Sequence, residues 1–187
     1  MGITARPESA RDLIMEKSAT SADPFTLQER QRLRRLLDED DIRKLAIYYA
    51  HSLDNGHIAQ LRDVFTDDIC CHFGPYGEWQ GLESVIENFE QVFKSLGGIP
   101  LTSMHAGSGH CIHFINANNA TGQRQLMDFL TSRRPEENPI MWLAVYDETY
   151  QRGDNGWRIS SISVEFLWPE RFVSEGFPSQ FPPQITP

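Results

Sequence analysis

Asp54 is the residue in this chain whose position most needs explaining. It closes the stretch Ile47-Tyr48-Tyr49-Ala50, which reads as the buried end of a helix, and Asn55-Gly56 follows as a stop signal. The C-terminal end of a helix carries partial negative charge, so a carboxylate is disfavoured there. Two readings fit. Asp54 is a turn residue working with Asn55-Gly56. Alternatively it is a buried anion that needs a hydrogen-bonding or cationic partner, a role that suits histidine.

Six histidines are available: His51, His57, His72, His105, His110 and His113. His51 and His57 sit close to Asp54, but a metal needs more converging ligands than this cluster offers, so no metal is expected. His110 and His113 are three apart in a strand pattern and face opposite sides of it. The three cysteines, Cys70, Cys71 and Cys111, form no CxxC pair, which removes zinc and thioredoxin-type chemistry. Gly107-Ser108-Gly109 lies inside a strand pattern with no helix after it. It is therefore not a phosphate loop, and its glycines instead permit a bulge.

Composition narrows the partners. The 187 residues carry 17 Lys plus Arg against 26 Asp plus Glu, a net charge of −9. An acidic chain is a poor match for nucleic acid, whose phosphates need basic surface. No run of 18 apolar residues exists, so no membrane span is expected. Free thiols and an N-terminus without an apolar signal region suit a reducing cytoplasm.

The elements that must position these residues follow from periodicity. Residues 1–24 are polar and read as a flexible arm with one short helix around Ala10–Lys17. Thr26-Leu27-Gln28-Glu29 is a capping box that opens a helical pattern running to about Leu53. The acidic run at Asp38–Asp41 is expected to break this pattern into two helices, the second capped by Asp41. A short helix at Ile58–Val64, brief strands at Ile69–Phe73 and Glu78–Gln80, and a helix at Leu82–Leu96 ended by Gly97-Gly98 follow. Four long strand patterns come next, at Ser103–Asn116, Ala120–Ser132, Ile140–Arg152 and Trp157–Leu167. Turns at residues 116–119 and 153–156 and a polar loop at 133–139 join them. The tail, 168–187, holds five of the eleven prolines and three phenylalanines. One α+β domain over 25–167 is expected, with helices packed over the concave face of a curved antiparallel sheet that encloses an apolar pocket.

The segments "IRKLAIYYAHSLDNGHIAQLRDVFTDDI", "WQGLESVIENF", "TSMHAGSGHCIHF" and "YDETYQRGDNGWRISSI", in this order, resemble SnoaL-like domains of the nuclear transport factor 2-like superfamily. The resemblance covers about residues 30–167 and implies a cone-shaped α+β barrel with a deep hydrophobic pocket. Within that superfamily the chain is most similar to scytalone dehydratase, lindane dehydrochlorinase and bile-acid dehydratase families. These use an Asp on the first long helix and a His at the start of a long strand, which match Asp54 and His105 here. A Tyr before the Asp in the bile-acid enzymes matches Tyr49. Scytalone dehydratase has a catalytic Tyr on its first strand, where His72 or Phe73 stands in this chain. An Arg in the last strand of two of these families has no counterpart, and Glu165 is a candidate replacement.

The resemblance therefore implies a cofactor-independent lyase, acting by dehydratase-like elimination or retro-aldol cleavage. His105 would be the base, Asp54 its orienting partner and Tyr49 a hydrogen-bond donor. His72, Phe73, Phe89, Trp142 and Glu165 are the expected contacts to a bulky aromatic, polyketide or steroid-like substrate. The alternatives are an isomerase or cyclase of the same fold, and a non-catalytic dioxygenase small subunit or binding module. A homo-oligomer, a trimer before a dimer, is expected.

Overall fold

The computed structural model describes residues 24–95, 103–130 and 140–168. The expected short helix near the N-terminus, the glycine stop at 97–98, the loop at 133–139 and the tail beyond Trp168 lie outside these residues. Leu37 onward forms one compact unit, and the chain up to Leu36 forms another.

The long helix α1 spans Leu27–Asp54 without interruption. Its capping box is formed: the Glu29 backbone N–H donates to Thr26 Oγ1 at 3.2 Å, and the Thr26 N–H donates to Glu29 Oε2 at 2.8 Å. The expected break at the acidic run is absent because its charges are paired. Glu39 and Asp40 meet Arg43 and Lys44 one turn on. Asp38 is buried and paired with Arg152 of a distant strand. The helix ends at Asp54, and two residues on Gly56 has a φ of +67°, in the left-handed region.

A 3-10 turn at Ile58–Asp63 leads into β1, Phe65–His72, and a second one at Gly74–Tyr76 leads into β2, Glu78–Gln80. Helix α2 is Leu82–Ser95. Strands β3 (Ser103–Phe114), β4 (Asn119–Leu130), β5 (Ile140–Gly153) and β6 (Gly156–Trp168) form an antiparallel meander. The sheet order is β2-β1-β6-β5-β4-β3. The α+β architecture is as expected, but the sheet is mixed, because β1 runs parallel to β6. The polypeptide between them crosses over through α2 and the meander, and such a return permits parallel pairing. Apolar residues of both helices, including Ile42, Leu53, Val85 and Phe89, pack with sheet residues such as Ile162 and Val164 into one core.

One irregularity sets which residues of β3 face that core. Phe114 pairs with Ala120 and Cys111 with Gln123, but Ser108 pairs with Gln125. Gly109 and His110 together oppose Arg124, so β3 carries one extra residue at this point. Gly109 has φ +59°, and a Cβ there would come within 3.3 Å of Gln125 Oε1. A bulge reverses the facing parity of a strand. Beyond it, Ile112 and Phe114 pack on the core; before it, the odd residues Ser103 and His105 take the inward face.

The inward face of β3–β5 also carries a buried polar network. Arg124 donates to both Glu148 oxygens, at 3.0 Å from Nε and 2.9 Å from Nη2. The Tyr150 hydroxyl donates to Glu148 Oε2 at 2.5 Å, and His110 Nε2 lies 2.9 Å from the same hydroxyl. Burial alone would raise the Glu148 carboxyl, but Arg124 and Tyr150 hold it below its ordinary value. Burial, helped by Arg124 and Arg43, lowers His110 from 6.5 to about 4 despite the opposing charge of Glu148.

Two outcomes follow for stability. Gly109→Ala should cost about 1–2 kcal/mol, the left-handed penalty for a residue with a Cβ, measured as a shift in urea midpoint. His110 binds its proton later in the folded chain than in the unfolded one. Its contribution to stability is therefore complete above about pH 6.5 and is lost as pH falls toward about 4. His110→Gln should flatten the unfolding midpoint against pH across that window, and an unaltered profile would refute the assignment.

Candidate active site

The end of α1 meets the beginning of β3 at a single carboxylate. Asp54 is 8% exposed and accepts the His105 backbone N–H at 3.1 Å on each of its two oxygens. The Ser103 hydroxyl approaches Oδ1 at 3.4 Å. His105 Nδ1 lies 2.6 Å from the same oxygen. A carboxylate accepts only, so Nδ1 is the donor, and neutral His105 carries its proton there. The unprotonated Nε2 is left on the side away from the helix. These donors answer the unfavourable end of the helix dipole that the sequence placed at Asp54.

His105 forms part of the wall of a cavity of about 360 Å³. Most of the remaining wall is apolar, with Phe73, Trp79, Phe89, Phe93, Trp142 and Phe166 around it. Phe73, Trp79 and Phe89 pack against one another at centroid distances of 5.1–5.7 Å. No Lys or Arg lines this cavity among the described residues.

Tyr49 reaches the cavity from α1 but is only 1% exposed. Its hydroxyl shares a hydrogen bond with that of Tyr146 on β5. Burial pushes both phenols up, and the Arg124 guanidinium, 4.2 Å over the Tyr146 ring, works against that rise. Asp128 on β4 lines the same cavity. It is the direct cross-strand partner of His105, and its Oδ2 is 4.0 Å from His105 Nε2.

The residues expected from sequence divide accordingly. Tyr49, His105, Phe73, Phe89 and Trp142 line the cavity, with Asp54 directly behind His105. His72 is not in the wall; its Nδ1 is 3.2 Å from Glu78 Oε1 and its Nε2 3.3 Å from Cys70 Sγ. Glu165 is 2% exposed, but it lies between Val164 and Phe166, which both line the cavity. Successive strand residues alternate faces, so Glu165 points to the opposite side of the sheet. Asp128 and Tyr146 were not singled out from sequence. The hairpin turn at 116–119 gives an approximate register, but without the bulge it would set Phe129, rather than Asp128, against His105.

Among the described residues no group of His, Cys, Asp or Glu converges to hold a metal, and no helix is long and apolar enough to cross a membrane. The SnoaL-like domain profile matches residues 34–163. This chain belongs to the SnoaL-like domain family. No curated protein matches it in sequence. Among solved structures, it is similar to LinA, with 20% identity, a TM-score of 0.64, and coverage of 81% of this chain and 99% of LinA. A candidate scytalone dehydratase from Novosphingobium aromaticivorans has 19% identity and a TM-score of 0.62, over 72% of this chain and 87% of that one. An NTF2-like protein with a cystatin-like fold, also from Novosphingobium aromaticivorans, has 18% identity and a TM-score of 0.66, over 79% and 94%. At such identities these likenesses establish the SnoaL-like fold alone.

Asp54→Ala removes the acceptor that holds the His105 proton on Nδ1. Imidazole-nitrogen NMR should show the neutral ring moving to the Nε2–H tautomer. Loss of the three donors' acceptor should also cost about 1–3 kcal/mol of stability.

Proposed function

We propose that this SnoaL-like protein is a cofactor-independent lyase. It removes a proton beside a carbonyl in a neutral, bulky and largely apolar substrate, and expels a leaving group from the neighbouring carbon. The observation that carries this reading is the 2.6 Å contact between Asp54 and His105 Nδ1, with Nε2 turned toward an apolar cavity. A base must be oriented toward the substrate, and the Asp54 contact that holds the imidazole at the cavity wall supports this reading. Asp54 fixes the tautomer and stabilises the imidazolium that forms.

The developing enolate needs a donor. Tyr146 and Tyr49 line the cavity as a hydrogen-bonded pair. Tyr49 donating to Tyr146 leaves the Tyr146 proton free for the enolate oxygen, while Arg124 over its ring makes it a stronger donor. The aromatic wall lowers the local dielectric, which strengthens both interactions. The apolar character of the lining among the described residues favours a neutral substrate over a carboxylate. Two structural neighbours support elimination as the reaction class: one is a candidate scytalone dehydratase and another a hexachlorocyclohexane dehydrochlorinase.

A dyad built into an apolar cavity favours catalysis over a purely structural or binding role, since buried polar groups with no task lower stability. The aldol adduct of benzaldehyde and acetone is a suitable first substrate. It yields benzylideneacetone by elimination and benzaldehyde by retro-aldol cleavage, so one assay separates the two reactions. The wild-type protein should produce the enone, and His105→Ala should slow it by about 10²–10⁴-fold. An undiminished rate in that variant would remove His105 as the base.

A further inference from the structure

We propose that Asp128 is a second catalytic residue, a neutral carboxylic acid that protonates the leaving hydroxyl group of a β-hydroxy carbonyl substrate. This inference rests on the lyase reading above and adds to it the chemical class of the leaving group and the side from which it departs.

The first observation is geometric. Asp128 and His105 are opposite one another in the β3–β4 ladder, so both side chains rise from the same face into the cavity. The 4.0 Å between Asp128 Oδ2 and His105 Nε2 is too long for a hydrogen bond. It is a fitting separation for two groups that address adjacent carbons of one substrate. The second observation is an unmet bonding need. Asp128 Oδ1 is buried and has no hydrogen-bond partner among the described residues. Carboxylates kept for structure alone have their oxygens satisfied, as those of Glu148 are. Oδ1 is itself closed off, and the 23% of the side chain that remains exposed is what an entering substrate hydroxyl would meet.

The surroundings favour the protonated form. Burial raises the Asp128 carboxyl; His105 opposes this and Asp54 reinforces it. The other titratable groups that face it are Tyr76 and Tyr146, both neutral phenols raised by burial. Among the described residues no Lys or Arg of the lining offsets these effects. His105 is itself engaged by Asp54 through Nδ1, so it does not serve Asp128 as a dedicated cation.

The chemistry balances without a further reactant. His105 Nε2 takes the proton from the carbon beside the carbonyl, and that C–H pair becomes the new C=C bond. The C–O bond of the adjacent carbon breaks with its pair, and the Asp128 proton goes to the departing oxygen. The products are an α,β-unsaturated carbonyl and water, with His105 as imidazolium and Asp128 as carboxylate. The released water lies between Nε2 and Oδ2 and carries the proton back, which restores both groups. Because base and acid stand side by side on one sheet face, proton and hydroxyl leave from the same side of the substrate.

Two measurements test this. Carboxyl-carbon NMR of the wild-type protein, with Asp128→Asn to assign the resonance, should show Asp128 titrating above the ordinary carboxylate range and still protonated at the pH where elimination is measured. Titration in the ordinary range overturns the proposal whether or not any substrate is turned over. The second compares the benzaldehyde–acetone adduct with its p-nitrophenyl ether, whose leaving group needs no proton. Asp128→Asn should slow hydroxyl elimination by at least about 100-fold and ether elimination by less than about tenfold. Equal slowing of both overturns the acid role. His105→Ala should slow both substrates, so failure of the base assignment is read separately from failure of the acid assignment.

Discussion

The bond between Asp54 and His105 joins the two halves of this fold. A carboxylate at the last residue of a 28-residue helix faces the negative end of the helix dipole. It is tolerated because the first residues of β3 bring it two backbone contacts, an imidazole N–H and a hydroxyl. The same bonds fix where β3 begins relative to α1. Breaking them would leave a buried anion without donors, an outcome more costly than the loss of any one bond. Positioning of the imidazole and attachment of the strand are thus one interaction. This coupling explains why the imidazole can be held so tightly at the edge of a largely apolar cavity.

The bulge at Gly109 decides what stands beside that imidazole. A strand that continued unbroken from Phe114 would present even-numbered residues inward along its whole length, and His105 would face outward. The extra residue shifts the parity, turns His105 inward and brings Asp128 opposite to it. The left-handed backbone of Gly109, and the 3.3 Å that would separate a Cβ there from Gln125 Oε1, make glycine the residue suited to this place. A backbone irregularity four residues from His105 is absent from any inventory of reactive side chains, yet it sets His105 and Asp128 side by side on the cavity face.

Much of this was legible in the chain before folding. The capping box, the glycine stop after Asp54 and the four strand patterns with their turns are local signals, and the structure follows them closely. Asp54 drew notice because local electrostatics made it anomalous. The continuity of α1 was not legible, because Asp38 is stabilised by Arg152 from more than a hundred residues away. The parallel pairing of β1 with β6 depends on a tertiary crossover that no local pattern encodes. Glu165 was misplaced for a related reason: its position on the last strand was right, but the face it occupies depends on the register of the whole sheet. Asp128 and Tyr146 carry no anomaly in sequence. They acquire meaning only when strand register sets one beside an imidazole and the other beneath a guanidinium.

The polar groups of the inward sheet face divide into two sets with different physical characters. Arg124, Glu148, Tyr150 and His110 satisfy one another and form a closed network in the sheet. Asp54 and His105 are satisfied at Nδ1, but Asp128 Oδ1 has no hydrogen-bond partner among the described residues, and His105 Nε2 stands 4.0 Å from Asp128 Oδ2, beyond bonding distance. Tyr146 stands between the sets, touched by Arg124 from one side and facing the cavity on the other. A closed network of charge-assisted bonds is stiff, and its guanidinium holds a fixed positive field at the phenol ring. The open set is where an entering molecule would find partners. Stiffness behind and unmet hydrogen bonds in front make up a preorganised polar site, and in this chain both come from the pairing of three adjacent strands.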